Sequence, residues 1–279
     1  MAESVRWEKK IKSLIKSQYP EIQILETNVV PKKRADAPQL LIVLGGDGTI
    51  LEATQKFEKW NPLILGLNLG HVGFLASIRD KKDFIKGLAS VMKKEYRTIS
   101  KMMISAQLFR KNSARGRKKI FSGYALNDIV IQSLLGIVDI GVYIENHPVQ
   151  YIKGSGVLVA TATGSTAYNL SAHGPIVMPD IKCFIVTEIM DHNIPTPSVV
   201  VKRNCVIVLT VEDFRKKNQL ILKETGESVD VVLSVDGSSM VALKRGDKII
   251  IKQSERLMRF VELEKNYFFK SLQEKFAFK

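Results

Sequence analysis

A glycine-rich turn that carries an aspartate is the segment of the chain best suited to chemistry. It runs from Gly45 to Thr49 with the sequence Gly-Gly-Asp-Gly-Thr, between the apolar run Leu41–Leu44 and a segment with a helical pattern. Glycines let backbone N–H groups approach an anion, and a following helix adds its positive N-terminal end. Asp47 would repel phosphate unless it binds a metal, orients a hydroxyl or accepts a proton, which favours phosphoryl transfer. The alternative is a turn in which Asp47 caps a helix starting near Thr49, and the motif alone leaves both interpretations open.

Further residues have side chains that suit a bound nucleotide. Asn127 and Asp128 place an amide beside a carboxylate, a pair able to hold ribose hydroxyls or an adenine amino group, with an ordinary Asn-Asp turn as the alternative. Phe74 and Tyr168 offer flat faces to an adenine ring, with packing in the core as the alternative. His71 lies in a loop. It is interpreted either as a contact to a phosphate or as an exposed residue with no role in binding.

Three longer segments, taken with the glycine-rich turn, resemble the signatures of one enzyme family. They are Asn68–Leu75, Ala125–Ile131 and Gly154–Val177, the last of which contains the run Gly-Ser-Thr-Ala-Tyr-Asn. In this order along the chain, the four motifs resemble those of the ATP- or polyphosphate-dependent NAD kinases. The resemblance extends from about Leu41 to Gly237, and four ordered motifs are far more specific than one.

The resemblance implies an activity and a set of site residues. Enzymes of this family transfer the terminal phosphate of ATP, or of polyphosphate, to the 2′-hydroxyl of the adenosine ribose of NAD, giving NADP. Asp47 would be the catalytic residue that activates this hydroxyl, and orienting it is expected to contribute more than deprotonating it, because the loose transition state needs positioning more than base strength. The residues expected to bind NAD are Gly46, Asp47, Gly48, Thr49, His71, Phe74, Asn127, Asp128, Lys153, Ser155, Thr166, Ala167, Tyr168 and Ser171.

The resemblance also implies a cofactor and partners. Mg²⁺ is expected to be carried by the donor phosphates and water, so no protein side chain is expected as a metal ligand. The four histidines have no spacing typical of a zinc site. Family members are homodimers or homotetramers, often with a pocket completed by a neighbouring subunit, so self-association is expected by analogy. Neither a nucleic acid nor a membrane is an expected partner.

The chain departs from the family pattern at several positions. Asp128 stands where the family usually has Glu, which is one methylene longer, and Ser155 replaces an Asp that lies near the nicotinamide end of the bound dinucleotide. Ala162 replaces a usual proline and His173 a usual glycine. The region before Leu40 is short, so the customary first strand of the α/β domain is expected to be missing.

The secondary structure expected to position these residues changes near residue 100, from alternating strands and helices to mainly strands. In residues 1–100, the apolar runs Leu40–Leu44 and Leu63–Leu67 are separated by helix-length segments, which predicts an α/β, Rossmann-like domain with a parallel sheet. An amphipathic helix over Val5–Ser17 and a short strand at Ile22–Leu25 precede them.

The rest of the chain is predicted to form mostly strands. Residues 101–255 contain short strand-like runs that predict an all-β domain with one helical interruption at Ser165–Ala172, and the family resemblance implies that this domain is a β-sandwich that binds NAD. The aromatic-rich segment 256–279 is expected to pack back on the first domain.

Composition agrees with a folded enzyme. The chain has 279 residues, 45% of them hydrophobic and 25% charged, which is ordinary for a globular protein and long enough for two domains. Without a signal peptide or an apolar run near the roughly 20 residues of a membrane helix, it is expected to be cytoplasmic. Cys183 and Cys205 lie in apolar segments and are expected to be buried free thiols.

Three alternative functions follow from parts of the pattern. A diacylglycerol- or sphingosine-type lipid kinase shares the Gly-Gly-Asp-Gly-Thr turn but leaves Gly164–Asn169 unexplained, and the chain has no segment suited to docking on a membrane. A non-catalytic dinucleotide sensor would explain Ser155 and Ala162, although it would not need Asp47. A nucleic-acid-binding protein depends only on the net charge of +14, which is densest in Arg110–Lys119 without interleaved aromatic residues.

Overall fold

The chain is described here by a computed structural model that covers residues 3–26, 29–71, 73–112, 116–192, 196–217, 219–221, 226, 228–265 and 267–276. It divides into two compact units, Met1–Lys101 with Arg256–Lys279, and Met102–Glu255. In chain order the elements are α1 (Glu3–Gln18), β1 (Leu40–Leu44), α2 (Asp47–Phe57), β2 (Leu63–Leu67), α3 (Phe84–Met92), β3 (Arg97–Asn112), β4 (Gly116–Ala125), β5 (Asp128–Ser133), β6 (Val138–Ile144), β7 (His147–Thr161), α4 (Tyr168–Ser171), β8 (Cys183–Asp191), β9 (Val199–Lys202), β10 (Ile207–Phe214), β11 (Val231–Val235), β12 (Ser239–Ala242), β13 (Lys248–Glu262) and α5 (Tyr267–Phe276).

The first unit is the α/β domain that the sequence predicts. Strands β1 and β2 pair in parallel, and the end of β13 continues the parallel pairing through Phe260 opposite Ile64. All of β2 is buried, as expected for an apolar strand in a parallel sheet that is covered on its faces. Helices α1 and α3 supply Ile11, Ile15 and Leu88 to the core of this unit. The segment from Arg256 onward belongs to this unit, so its expected return to the first domain is confirmed.

The second unit is built mainly from antiparallel strands. Strand β10 pairs with β13 and β6, β6 pairs with β7, and β5 pairs with both β7 and β11. The long strand β7 changes partner along its length, since residues up to Gly154 pair with β6 and residues from Gly156 onward pair with β5. The predicted β-rich domain is therefore confirmed, with its strands joined in a branched sheet. Its core consists of alternate apolar side chains of these strands.

Two details of the predicted elements are wrong. Ile22–Leu25 is not a strand: Ile22 and Leu25 are 36% and 40% exposed, and no strand in the described part of the chain pairs with them. The apolar residues of this segment therefore lack the neighbouring strand that a stable strand needs. The helical interruption is shorter than expected, because a 3₁₀ turn at Thr163–Thr166 and the single turn α4 are separated at Ala167, which has a non-helical backbone.

Most described residues of the basic run are exposed, and the two cysteines are buried as expected. The basic run lies on the β3–β4 hairpin, of which residues 113–115 are outside the described part. Arg110 is not a free cation, because it donates to both carboxylate oxygens of the fully buried Asp247, at 2.9 Å and 2.7 Å. Cys183 and Cys205 are buried free thiols. Among the described residues, no helix has the length and apolarity needed to cross a membrane.

Candidate active site

Asp47 is the first residue of α2, which Gly45 and Gly46 connect to β1, and its carboxylate is fixed by a loop distant in sequence. Its Oδ2 accepts a hydrogen bond from the backbone N–H of Phe74 at 2.7 Å, and its Oδ1 accepts one from Leu75 at 3.1 Å. The helix begins at Asp47 with Gly46 as its N-cap, so the alternative in which Asp47 caps a later helix is wrong. Two backbone donors instead hold the carboxylate in one orientation.

The glycines around Asp47 leave room on one side and tight contact on the other. At Gly46 and Gly48, an added Cβ would meet no atom within 4 Å, so a ligand can approach the backbone there. At Gly73, a Cβ would lie 2.2 Å from Oδ1 of Asp47. Only glycine fits at position 73, because the loop backbone must approach the carboxylate closely. Thr49 is exposed next to this open space.

The other expected site residues of the first unit have mixed environments. The ring of Phe74 packs against Phe268 with 5.8 Å between ring centroids, and the Lys275 ammonium lies 5.2 Å from its centroid, so packing accounts for at least part of its role. His71 is exposed, and its carbonyl accepts a hydrogen bond from the amide of Asn68 at 3.1 Å.

Lys101 is a residue of this unit that the motifs did not indicate. It is 7% exposed, and its ammonium lies 5.6 Å from the centroid of the Phe260 ring. Burial lowers its pKa to about 8, while the charges of Asp47 and Glu262 act in the opposite direction. A single lysine in a strand gives no sequence signal for burial, so only the structure identifies it.

In the second unit, Asn127 and Asp128 sit in a turn that Asp236 holds from across the fold. The Asp236 carboxylate accepts backbone hydrogen bonds from Leu126 at 2.7 Å, Asn127 at 2.8 Å and Asp128 at 3.0 Å. Asp236 has a φ of 48°, a left-handed conformation that Asp tolerates better than most residues. It was not among the expected site residues, because more than a hundred residues separate it from its partners.

Asp128 is buried and Asn127 is partly buried, and one polar atom of the pair is unpaired among the described residues. Oδ1 of Asn127 is buried and has no hydrogen-bond partner among the described residues. Asp128 is 5% exposed, and burial followed by repulsion from Asp236 raises its pKa to about 7. An unpaired buried acceptor is costly, and native proteins usually retain one where a ligand or water completes it. The turn is therefore suited to binding a polar ligand.

The signature around Tyr168 lies directly against this turn. The backbone N–H of Thr161 donates to the Asn127 carbonyl at 2.8 Å, and a Cβ on Gly164 would lie 2.2 Å from the same oxygen. Burial, and then the charge of Asp128, raise the pKa of the partly buried Tyr168. Strand β7 and the segment that follows it therefore bring Tyr168 close to the Asn127–Asp128 turn.

The remaining residues of the signature contribute less direct contacts. Ala167 is partly buried and Ser171 is exposed. The hydroxyl of Thr166 is used locally, since it donates to the carbonyl of Thr163 at 3.4 Å. Asn169 is a scaffold residue that the motif comparison did not single out: its amide donates to Ser165 and Pro175 and its oxygen accepts from Thr187.

Lys153 and Ser155 lie farther along β7 from the turn. Asp128 pairs with Ala160, so Ser155 is displaced by roughly 16 Å along the strand at about 3.3 Å per residue. The Lys153 ammonium is half exposed and lies 3.7 Å from the Asp139 carboxylate. This separation agrees with the expectation that these residues serve a different part of a long ligand than Asn127 does.

Two departures from the family pattern preserve the backbone. Ala162, in the place of a proline, has a φ of −57°, which is close to the value that a proline ring imposes. His173, in the place of a glycine, has a φ of 61°, a left-handed conformation that glycine adopts most readily. Both substitutions therefore keep the local course of the chain.

Comparisons with known proteins identify the family. The chain matches the model of the ATP-NAD kinase N-terminal domain over residues 2–96 and that of the ATP-NAD kinase C-terminal domain over residues 126–263. The NAD kinase of Carboxydothermus hydrogenoformans is 34% identical over 267 residues, which cover 94% of this chain and 88% of that protein. The NAD kinase of Lachnospira eligens is 33% identical over 239 residues, which cover 85% of this chain and 80% of that protein.

Solved structures agree with this match. The crystal structure of an NAD kinase from Archaeoglobus fulgidus in complex with ATP has a TM-score of 0.77 and 26% identity, covering 98% of this chain and 96% of that one. The yeast NADH kinase complexed with NADH has a TM-score of 0.82 at 22% identity, covering 100% of this chain and 85% of that one, and shows the shared fold. With both domain models matched and relatives above 30% identity over most of its length, the chain belongs to the NAD kinase family.

Proposed function

We propose that the chain transfers the terminal phosphate of ATP, or of polyphosphate, to the 2′-hydroxyl of the adenosine ribose of NAD and so forms NADP. The observation that carries this proposal is the Asp47 carboxylate, held at the start of α2 by the backbone N–H groups of Phe74 and Leu75. The named activity of the curated relatives and the ATP complex of the Archaeoglobus fulgidus enzyme support the same reaction.

Asp47 acts in this proposal by orienting the nucleophile. A carboxylate oxygen that accepts one backbone hydrogen bond keeps a lone pair with which it accepts the hydroxyl proton of the ribose. The hydroxyl oxygen forms a bond to the terminal phosphorus while the bond to the bridging oxygen of the donor breaks, and the proton passes to Asp47 or to solvent. Because this transition state is loose, alignment contributes more to the rate than base strength does.

Asn127 and Asp128 bind the adenosine part of NAD in this proposal. The unpaired Oδ1 of Asn127 is available to accept from a ribose hydroxyl or from the adenine amino group. Tyr168, Thr166 and Ala167 form the adjoining wall, and Ser171 lies at its exposed margin. Phe74 adds an aromatic ring to the NAD site in this proposal, and the same ring also packs against Phe268 of α5.

The open backbone of the glycine-rich turn is assigned to phosphate. Gly46, Gly48 and Thr49 would receive the phosphates, with the exposed His71 as a further contact. Lys153 and Ser155, in the middle of β7, would bind the nicotinamide part of NAD.

The phosphate donor enters as its magnesium complex. Within the described ranges, no three His, Cys, Asp or Glu side chains are grouped as metal ligands would be. Because Mg²⁺ in phosphoryl-transfer sites is bound mainly by substrate phosphates and water, we assign the donor's own oxygens and water as its main ligands, where it would neutralise charge that develops on the phosphates. We further propose a cytoplasmic enzyme that forms a homodimer or homotetramer, by analogy with the family.

The test is product identity with purified protein. NAD and Mg²⁺ are incubated with ATP in one arm and with polyphosphate in the other, and the dinucleotide product is analysed by ³¹P NMR for a 2′-monophosphate. Formation of NADP in either arm supports the proposal and identifies the donor. A protein that binds NAD but phosphorylates nothing would support the sensor alternative, and phosphorylation of diacylglycerol or sphingosine in a parallel arm would support the lipid-kinase alternative.

A further inference from the structure

The C-terminal helix α5 touches the loop that orients Asp47. Ser271, which is fully buried in α5, donates a hydrogen bond from its hydroxyl to the carbonyl oxygen of Gly73 at 3.0 Å. That carbonyl and the N–H of Phe74 are the two ends of one peptide group. The same peptide group donates to Oδ2 of Asp47 at 2.7 Å.

The planarity of the peptide group couples these two hydrogen bonds. In a trans peptide the carbonyl and the N–H point in opposite directions within one plane, so fixing the oxygen also fixes the direction of the N–H. A hydrogen bond to the carbonyl also polarises the group and strengthens donation by its N–H. Ser271 and Asp47 therefore lie at opposite ends of one hydrogen-bonded chain.

Arg79 determines which way the Ser271 hydroxyl points. Its Nη2 donates to Oγ of Ser271 at 2.6 Å and to the carbonyl of Tyr267 at 2.7 Å. A serine hydroxyl has a single hydrogen, so an oxygen that accepts from Arg79 uses its hydrogen for Gly73. Arg79 is itself held, because its Nη1 pairs with Glu274 at 2.7 Å and its guanidinium lies 4.3 Å from the centroid of the Tyr267 ring.

The loop needs this support because residue 73 must be glycine. A Cβ would collide with Oδ1 of Asp47, and glycine leaves the peptide that follows it unusually free to rotate. A rotation would turn the N–H of Phe74 away from the carboxylate. A hydrogen bond from outside the loop is a direct way to prevent that rotation.

We propose that Ser271 and Arg79 are positioning residues for phosphoryl transfer, which hold the Gly73–Phe74 peptide so that its N–H orients the Asp47 carboxylate. This inference rests on the catalytic role proposed for Asp47. It assigns α5 a part in turnover in addition to its part in the packing of the first unit.

The test uses kinetics of single and double variants. Ser271→Ala is expected to lower kcat about tenfold, as for a small misplacement of a catalytic group, with a less than twofold change in KM for NAD. Ser271→Thr keeps the hydroxyl and should retain most of the turnover. Gln273→Ala, an exposed change on the same helix, is the matched control and should behave as the unaltered protein.

The double variant separates positioning from general stability. If Ser271 acts through Asp47, then Ser271→Ala should cause no further loss of kcat when Asp47 is already Asn. Equal loss in both backgrounds would overturn the proposal, and so would a kcat for Ser271→Ala that matches Gln273→Ala. If Ser271→Ala fails to fold, Arg79→Lys is measured in the same two backgrounds at a temperature well below its melting transition. Near-normal turnover of Asp47→Asn alone would refute the role of Asp47 itself, which is a distinct outcome.

Discussion

The carboxylate of Asp236 accepts the backbone N–H of Asn127 at 2.8 Å, and the same oxygen accepts the N–H of Asp128 at 3.0 Å. One side chain on the turn after β11 thereby fixes the turn that begins β5. Because Asp236 also binds the N–H of Leu126, its loss leaves three backbone donors to find other partners.

Replacing Asp236 should damage both stability and NAD binding. Asp236→Ala is expected to cost several kcal/mol of unfolding free energy, since each buried unpaired donor costs about 1–3 kcal/mol, and to weaken NAD binding. Asp236→Asn keeps an acceptor oxygen and tolerates the left-handed backbone, so its effect should be smaller. Denaturant unfolding and calorimetry check this, with the exposed Asp180→Asn as control. An Ala variant that behaves like the control would contradict the assignment.

Replacing Asn127 should weaken NAD binding while leaving the stability of the free protein almost unchanged. Asn127→Ala removes a buried acceptor that has no partner among the described residues, so the free protein should lose little stability. NAD affinity should fall by roughly 1–3 kcal/mol, because a group of the ligand then lacks its partner. Asn169→Ala is the comparison, since its amide is fully used and its loss should destabilise the free protein. Unchanged NAD affinity for Asn127→Ala, measured by calorimetry, would contradict the binding role and favour the interpretation of Asn127 and Asp128 as an ordinary turn.

Asp128 should make the free protein less stable as the pH rises. Burial and Asp236 raise its pKa from 3.8 to about 7, so the folded state favours the neutral acid. The protonated Asp128 therefore contributes to the free energy of unfolding, because the folded state binds a proton that the unfolded state releases. This contribution to stability is fully present below pH 4 and is lost as the pH rises through 7. Melting temperatures of the unaltered protein and of Asp128→Asn should therefore diverge between pH 5 and 8.5. The melting temperature of the unaltered protein should fall relative to that of the variant as the pH rises. Parallel curves would show that Asp128 is ionised throughout.

Much of this arrangement follows from local sequence. The apolar runs of β1 and β2 and the periodicity of α1 predict their elements, because each signal lies within one segment. The Gly-Gly-Asp-Gly-Thr turn places Asp47 at the end of a strand and the start of a helix for the same reason. The strand expected at Ile22–Leu25 fails because a strand also needs a neighbour, which no local pattern supplies.

The support of the site could not be predicted in the same way. Asp236 and Ser271 contact residues more than a hundred positions away, and nothing about a lone Asp or Ser indicates such a partner. These features depend on tertiary pairing.

Ser155 allows a test of how the chain differs from its family. Ser155→Asp restores the usual charge and should lower KM for NAD by roughly tenfold, as for one charged hydrogen bond, with little change in kcat. The reacting hydroxyl is at the other end of NAD, so the added contact is shared by ground and transition states. Ser155→Asn, which adds similar volume without charge, is the control. A rise in kcat by orders of magnitude from a nearly inactive parent would favour the sensor alternative.

The most direct test of the central claim is the turnover of Asp47→Asn. Asparagine keeps the size of the side chain and one acceptor oxygen, but it has no negative charge and cannot take the proton of the ribose hydroxyl. With NAD and the magnesium complex of the active donor, we expect kcat to fall by about 10²-fold or more, while NAD affinity from calorimetry changes modestly. Near-normal turnover by this variant would contradict the account, because Asp47 would then have no part in phosphoryl transfer.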